Sequence, residues 1–401
     1  MNWQGLQRRV PLPLIGCVLG TCSYLVGVGN SSERSVANAG AAVWEERTDE
    51  ATNSALQALR LDAGSPERWT DLADVMAETN RGDDARYCVE QAMARAPHLP
   101  HTAMRAAGIY YRLGDPESAL RMTHRVVAET REYDPNVFQF WQRLGGTAER
   151  VFQLGIGSNT GLGRTYFQFL ARAADSAAVD SAWTALRERQ MAGNKETLEY
   201  AGALTAEHRY DAAAAAESGA LPNGLLNSGF ESNWTDQGPG GGESGWRVES
   251  ISGVEVRRDE TVRFAGVASL RVSFVNDNGS EFSPVSQERP LAPGTWQLRA
   301  MLRTDLKNAY VSGSAGGVDP EAMAGIGLRA VDAATGKILG STPRLSVSRD
   351  WTPESARFTL TGSHARLVRI EVVRPAKSDL ALSMSGSAWV DDVSLTPEAT
   401  R

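Results

Sequence analysis

The residues that most often carry out chemistry are sparse in this chain of 401 residues. Its five histidines and three cysteines show neither the HExxH spacing of a zinc protease nor the paired cysteines of a zinc site. The sequence contains no GxSxG elbow, and Gly155-Ile156-Gly157 is not followed by the Lys-Ser/Thr of a phosphate loop. Cys88 lies on an apolar helical stripe, which predicts a buried free thiol. We therefore expect no catalytic residues and a protein that is not an enzyme.

Aromatic residues in the second half of the chain could instead contact a sugar. A ring packs against the C–H face of a pyranose while polar neighbours bind its hydroxyl groups. Trp234 and Tyr310, in stretches rich in Gly, Ser and Asn, and Trp246 are the candidate ligand-binding residues. Packing in the core or in a loop is the alternative for each of them. Trp296 and Trp389 share strand parity with apolar residues, so both are expected to be structural.

Charge excludes one class of partner. The formal net charge is −7, so no basic surplus exists to neutralise phosphates, and we expect no nucleic-acid binding. Arg257, Arg258 and Arg263 could meet an acidic glycan, with a solvated charged face as the plainer interpretation. Two carboxylates flanking a sugar could hydrolyse a glycosidic bond. The sequence singles out no such pair, and glycoside cleavage stays the last alternative.

The N-terminal segment predicts export. Arg8 and Arg9 precede an apolar stretch at residues 10–29, the arrangement of a signal peptide and also long enough for a membrane anchor. Leu14-Ile15-Gly16-Cys17 resembles a lipobox, so lipidation is a third possibility. Residues 30–44 are predicted to form a tether. We expect an exported protein of the periplasm or cell envelope, either membrane-anchored through this segment or secreted.

Residues 45–217 are rich in helix formers and contain a repeat. The 34-residue stretch from Pro66 to Leu99 matches the tetratricopeptide pattern, and further units begin at Pro100 and Pro135. The matching residues of the first unit are Trp69, Leu72, Ala73, Met76, Ala85, Val89, Ala92 and Pro97. The pattern predicts helical hairpins stacked into a solenoid that binds a protein or peptide. Residues 51–62 and 196–217 are interpreted as partial units, and 150–165 as an irregular interruption.

Beyond residue 222 the pattern changes to short segments of alternating apolar residues. They include Leu270/Val272/Phe274, Trp296/Leu298/Ala300/Leu302, Ile326/Leu328/Ala330, Phe358/Leu360, Val368/Ile370/Val372 and Trp389/Val393/Leu395. Strands of this length separated by turn signals predict an antiparallel β-sandwich, and the length fits an eight-stranded jelly roll. The predicted fold class is therefore a helical-hairpin solenoid followed by an antiparallel β-sandwich.

Four motifs carry a resemblance to a family. They are Leu226-Asn227-Ser228-Gly229-Phe230-Glu231 with Gly245-Trp246, Gly266-Val267-Ala268-Ser269-Leu270-Arg271-Val272, Pro293-Gly294-Thr295-Trp296-Gln297-Leu298 and Trp389-Val390-Asp391-Asp392-Val393-Ser394-Leu395. In this order they resemble the carbohydrate-binding-module-like, galactose-binding-type jelly rolls. The resemblance implies glycan binding, and with the helical repeats and the export signal it resembles bacterial exopolysaccharide-associated envelope proteins.

The same resemblance implies a structural calcium ion with side-chain ligands Glu231 and Asp391. Backbone carbonyls would complete the shell of oxygen ligands that calcium requires. The parity that Asp391 shares with Trp389, Val393 and Leu395 predicts that its carboxylate points toward the core, where it needs a partner. A hydrogen-bonded or arginine-paired acid without a metal is the alternative. No other cofactor is expected.

Together these patterns predict an exported, non-enzymatic adaptor that binds a protein with its solenoid and a polysaccharide with its sandwich. A protein–protein scaffold with a purely structural sandwich is the alternative. The predicted boundaries are a signal peptide or membrane anchor at 1–29, a tether at 30–44, the solenoid at 45–217, a linker at 218–225 and the sandwich at 226–397.

Overall fold

The computed structural model describes residues 31–44, 48–145, 147–173, 175–221, 223–232, 245–275, 281–308, 325–374 and 384–398. The predicted signal or anchor at 1–29 lies outside these residues, as do Trp234 and Tyr310. Among the helices in the described ranges, none is both long and apolar enough to cross a bilayer. The chain divides between Ala192 and Gly193 into two compact units.

The first unit is built of helices joined by short turns. Its helices are α1 (Ser31–Trp44), α2 (Thr48–Leu61), α3 (Pro66–Glu78), α4 (Gly82–Arg95), α5 (Pro100–Arg112), α6 (Pro116–Glu129), α7 (Asp134–Arg143), α8 (Ala148–Arg150), α9 (Thr160–Ala173) and α10 (Ser176–Glu188). A π-helical segment, Val151–Ile156, continues α8. The hairpins predicted to begin at Pro66 and Pro100 are therefore confirmed.

Small residues and caps explain the first repeat. The Ser65 side chain accepts a hydrogen bond from the Arg68 backbone N–H at 3.3 Å, and Pro66 occupies the first turn, where its missing N–H costs nothing. Ala73 and Ala85 are fully buried, as expected where two helices approach closely. Cys88 is buried and free, as predicted, and burial raises the pKa of its thiol to about 11.

The stretch at 150–165, predicted to be an irregular interruption of the repeats, contains the π-helical segment and a turn after it, and is otherwise helical. The π-helical segment brings Gly155 against the Trp141 ring, where an added Cβ would lie 2.8 Å from the indole. The indole N–H donates to the Thr123 hydroxyl at 2.8 Å, and the carbonyl of Gly155 lies 2.9 Å from Nδ1 of His124. Gly155 is thus required by packing inside a helix.

The second unit begins with a helical hairpin, α11 (Asn194–Ala206) and α12 (Tyr210–Glu217). The sequence predicts this hairpin within the solenoid, whereas it groups with the β-strands. Helix α12 packs against the sheet, and Asp211 accepts a hydrogen bond from the Ala365 backbone N–H at 2.6 Å. The boundaries at 217 and 226 stay predictions.

The described strands form two antiparallel sheets of five strands each, ten strands where eight were predicted. The strands are β1 (Arg247–Val248), β2 (Val254–Asp259), β3 (Ser269–Phe274), β4 (Phe282–Leu291), β5 (Gly294–Asn308), β6 (Gly327–Asp332), β7 (Ile338–Ser341), β8 (Arg349–Leu360), β9 (Arg366–Arg374) and β10 (Met384–Pro397). Sheet A has the order β1-β4-β9-β6-β7, and sheet B the order β2-β3-β10-β5-β8. The predicted fold class, a helical-hairpin solenoid followed by an antiparallel β-sandwich, is confirmed.

The core of the second unit consists of the inward residues of both sheets. The alternating residues predicted on β3, β5, β6, β8 and β9 are almost all buried in one cluster, which Leu225, Phe230 and Trp246 complete. Gln287 of β4 holds the chain leading into this cluster. Its amide accepts from the Leu226 N–H at 2.8 Å and donates to the Leu226 carbonyl at 3.0 Å.

Candidate functional site

A β-bulge on β10 decides which way its side chains point. The pairing of β10 with β5 shifts between Asp391 and Ser394, and Asp392 has a positive φ of 47°. On one side of the bulge Val393 and Leu395 are core residues, and on the other side Ala388 and Val390 are. Trp389 therefore faces outward from sheet B, and the core orientation predicted for it is wrong.

Trp389 lies in a row that crosses the outer face of sheet B. It pairs with Arg271 of β3 and with Arg303 of β5, and Arg271 pairs in turn with Arg257 of β2. Directly paired residues share a face. These four residues form what we call the arginine–tryptophan row.

The two arginines beside Trp389 lie against its ring. The Arg271 and Arg303 guanidinium carbons are 5.5 Å and 5.8 Å from the ring centroid, within the range of cation–π attraction. The ring itself is only 8% exposed. The accessible surface of the row is therefore made mainly of guanidinium groups held in place by an indole.

A hydrogen bond fixes the orientation of this indole. The Trp389 N–H donates to Oδ2 of Asp259 at 2.9 Å. Burial tends to raise the pKa of Asp259, but hydrogen bonds from Thr261, Trp389 and the Val262 backbone outweigh it and lower the pKa to about 2. Asp259 thus stays ionised and holds the ring under the arginines.

The loop at residues 260–268 forms one border of this face. It leaves β2 at one edge of sheet B, yet its Phe264 ring lies 5.9 Å from the ring of Trp351 on β8, the opposite edge strand. The loop therefore passes over the sheet beside the row. Phe264 is 48% exposed, so its ring is available to a ligand.

Asp391 anchors this loop. Its Oδ2 accepts hydrogen bonds from the backbone N–H groups of Phe264 at 2.8 Å and Ala265 at 3.0 Å, and its Oδ1 accepts one from Asp392 at 2.7 Å. Its outward partner across β5 is Met301. The carboxylate is thus buried beneath the loop and not between the sheets, because the bulge breaks the parity used to predict a core position.

Glu231 holds the same loop and lies next to Asp391. Its Oε2 accepts a hydrogen bond from the Val267 N–H at 2.7 Å. Burial raises the pKa of Asp391 above its usual value, the three backbone hydrogen bonds oppose this, and the charge of Glu231 adds to the rise. The structure therefore brings together the two acids that the resemblance paired.

These two acids fit the chemistry of a calcium site. A Cβ built on Gly229 would lie 3.1 Å from Oε1 of Glu231 and 3.6 Å from Oδ1 of Asp391, so a carboxylate oxygen of each converges on one spot. Within the described residues, no group of three or more His, Cys, Asp or Glu residues could hold a metal ion. Carbonyl oxygens would have to supply the other ligands.

Of the three candidate sugar-contacting residues, the structure describes only Trp246. Trp246 is fully buried, its N–H donates to the Asn227 carbonyl at 3.0 Å, and its ring centroid lies 5.1 Å from that of Phe230. It therefore has no face on which a sugar could stack. Trp234 and Tyr310 lie outside the described residues.

Sequence reasoning missed Arg271, Arg303 and Trp389. A usable signal exists, since each arginine alternates with apolar residues on its strand and so points away from the core. Trp389 alternates with Ala388 and Val390 in the same way. Phe264 has no such signal, because its position depends on the path of a loop.

The first unit offers a second surface, on α3 and α5. Arg105 of α5 lies 2.9 Å from Asp71 and 2.6 Å from Asp74 of α3, and Arg112 also pairs with Asp74. Burial lowers the pKa of Arg105, but the charges of Asp74 and Asp71 outweigh it and raise the pKa above its usual value. These charges satisfy one another, so they mainly hold the two helices together.

An exposed aromatic residue continues this surface toward α7. Tyr111 of α5 is exposed, and its ring centroid lies 5.7 Å from that of Phe140. An aromatic pair beside a set of ion pairs is the kind of surface on which a peptide could pack.

No family model and no curated protein matches this chain. Several solved structures resemble part of this chain. A structure of TmCBM61 with β-1,4-galactotriose is 18% identical, covers 44% of this chain and 100% of its own, and has a TM-score of 0.28. The CBM22-1 xylan-binding domain of Paenibacillus barcinonensis Xyn10C is 12% identical over 43% of this chain and 94% of its own, with a TM-score of 0.24. MamA is 10% identical, covers 48% of this chain and 92% of its own, and has a TM-score of 0.27.

Proposed function

We propose that this protein is a non-enzymatic adaptor whose sandwich binds a polysaccharide and whose helical unit binds a protein or peptide. The observation that carries the proposal is the arginine–tryptophan row with the exposed ring of Phe264 beside it. Planar guanidinium groups donate several hydrogen bonds in fixed directions, which suits sugar hydroxyl groups. The Phe264 ring would pack against the C–H face of a sugar.

The placement of Asp391 supports a structural role over glycoside cleavage by this residue. Asp391 has no exposed surface, and hydrogen bonds from backbone N–H groups occupy both of its oxygens. A catalytic acid or base must reach the glycosidic oxygen or a water molecule beside the sugar. Glu231 and Asp391 would serve the loop and not a reaction.

Calcium would act as a support for the binding face. Glu231 and Asp391 would hold it, and the ion would neutralise two adjacent carboxylates. Both acids accept hydrogen bonds from backbone N–H groups of the 260–268 loop, which carries Phe264. The ion would thereby keep the loop beside the row.

The helical unit would bind the protein partner through Tyr111 and its neighbours on α5 and α7. The arginine-preceded apolar stretch at 10–29 supports export to the cell envelope, where a polysaccharide-binding adaptor would meet its ligand. A scaffold that binds only proteins would need no outward aromatic and arginine face on sheet B.

Binding by the full chain to a panel of neutral and acidic polysaccharides tests this proposal. Affinity electrophoresis should detect binding, and Phe264→Ala should weaken it about 2- to 10-fold, the equivalent of about 0.5–1.5 kcal/mol of ring contact. Val267→Ala is the matched control, because Val267 is 59% exposed in the same loop. If no polysaccharide binds, or if both variants bind like the parent chain, the proposed site is wrong.

A further inference from the structure

Arginines on the outer faces of the two sheets have different neighbours. On sheet A, Arg369 lies 2.6 Å from Glu371, and Arg329 pairs with the same carboxylate, which is almost fully buried between them. On sheet B, Arg271 and Arg303 lie against an indole ring. On sheet A a buried carboxylate neutralises the guanidinium charge, whereas on sheet B Arg257 pairs with the half-exposed Glu255 and Arg303 lies near the exposed Asp350.

Two carboxylates near the row are exposed, Glu255, which pairs with Arg257, and Asp350, whereas Asp259 is buried. Asp350 lies 3.6 Å from Arg303 and is 85% exposed, so a ligand could displace it at little cost. The nearest carboxylate oxygen to Arg271 is 3.9 Å away, on Asp259, whose Oδ2 already accepts the Trp389 N–H. Nε and Nη2 of Arg271 donate instead to the neutral hydroxyl of Ser387, at 3.2 Å and 3.1 Å.

The row is also extended. Arg257, Arg271 and Arg303 lie on β2, β3 and β5, with β10 between the last two. Three strand spacings of about 4.8 Å separate the ends, about 14 Å in all. A ligand that meets all three arginines must be longer than one sugar ring. It must also offer acceptors at more than one point along its length.

We propose that the polysaccharide bound here is acidic and carries carboxylate groups, as a polyuronate does. This inference rests on the proposed polysaccharide-binding function and names the chemical class of its ligand. Arginine pairs with carboxylates through two parallel hydrogen bonds, which gives both strength and direction. The chain as a whole has a net charge of −7, so attraction of an acidic polymer must come from a local face such as this one.

The test compares polygalacturonate with the same polymer after chemical reduction of its carboxyl groups, using the full chain. Polygalacturonate should bind at least 10-fold more tightly at low salt, and the difference should shrink as salt rises. Arg303→Gln and Arg271→Gln should each remove most of that preference. Neither should abolish the weaker binding of the reduced polymer.

Arg369→Gln is the matched control, because it removes a partly exposed arginine from sheet A. It should leave the preference unchanged. Arg303 is the more exposed of the two row arginines beside Trp389, so Arg303→Gln remains informative if Arg271→Gln fails to fold.

Three results would overturn the inference. Equal binding of the native and reduced polymers would show that the site ignores carboxylates, while leaving polysaccharide binding intact. Equally tight binding of inorganic polyphosphate would indicate a non-specific cationic surface. Failure of both polymers and of every neutral polysaccharide to bind would overturn the proposed function as well.

Discussion

Burial and the charge of Arg289 have opposite effects on the pKa of Glu217. Its carboxylate lies 2.6 Å from Nη2 of Arg289, and both side chains are about nine-tenths buried. Nη2 does not have hydrogen-bond geometry there, so the contact is electrostatic only. Burial raises the pKa of Glu217 from 4.5 to about 7 although Arg289 opposes the rise. Burial likewise lowers the pKa of Arg289. Loss of solvation thus outweighs the attraction to Arg289 in setting the pKa of Glu217.

This pair predicts a pH dependence. Because the folded state raises the pKa of an acid, it holds the proton more tightly than the unfolded state does. The stabilisation is complete below pH 4.5 and is lost as pH rises to about 7, by about 3 kcal/mol. Urea unfolding of the full chain should show a weaker second unit at pH 8 than at pH 5. Glu217→Gln should flatten that difference, and Glu207→Gln, on the same hairpin but partly exposed, should not. A parent-like pH dependence in Glu217→Gln would contradict the prediction.

At the scale of elements, the 260–268 loop depends on two acids that repel each other. Gly266 shows how tightly Glu231 is enclosed, since an added Cβ there would lie 1.7 Å from its Oε1. The backbone N–H groups of Phe264, Ala265 and Val267 all point at these carboxylates. The loop position is therefore set by negative charge that a cation could stabilise.

Thermal melts with calcium and with chelator should therefore differ. Calcium that binds only the folded state should stabilise the second unit by about 2.7 kcal/mol at 100 times its dissociation constant. Asp391→Asn should remove most of the difference, whereas Asp392→Asn, an exposed neighbour, should retain it. Identical melts after exhaustive chelation, with no metal found by elemental analysis, would leave Asp391 as a hydrogen-bonded acid.

At the scale of the whole molecule, the division between Ala192 and Gly193 predicts which fragments fold. Fragment 193–401 should give a cooperative, β-rich fold, because it keeps Glu217 with Arg289 and Asp211 with the 361–365 turn. Fragment 222–401 removes those partners and leaves a buried arginine without its acid, so it should be less stable. Circular dichroism melts of both fragments check this. Equal melting temperatures would show that the hairpin contributes nothing.

The periodic parts of the fold could be predicted because the pattern and the packing coincide. The buried Ala73 and Ala85, and the inward Val368, Ile370 and Val372, follow from spacing alone. Glu231 and Asp391 could be paired only through motif resemblance. Nothing in their spacing of 160 positions brings them together.

The sequence-based predictions failed at positions where a local irregularity, such as a π-helical segment or a β-bulge, changes the direction of the side chains. Gly155 lies in a π-helical segment that the repeat pattern does not predict, and Trp141 occupies the space of a side chain there. Trp389 and Asp391 were assigned to the core by parity, which the bulge before Ser394 resets.

The sequence by itself determined the class of each half, because helix and strand periods depend only on near neighbours along the chain. It also excluded the HExxH, GxSxG and phosphate-loop motifs. Tertiary structure alone decided which face carries the arginine–tryptophan row, because that depends on register across four strands. It also decided that the final helical hairpin groups with the sandwich. Glu217 of that hairpin is buried against Arg289 of β4, and no local sequence pattern predicts a contact between residues so far apart in the chain.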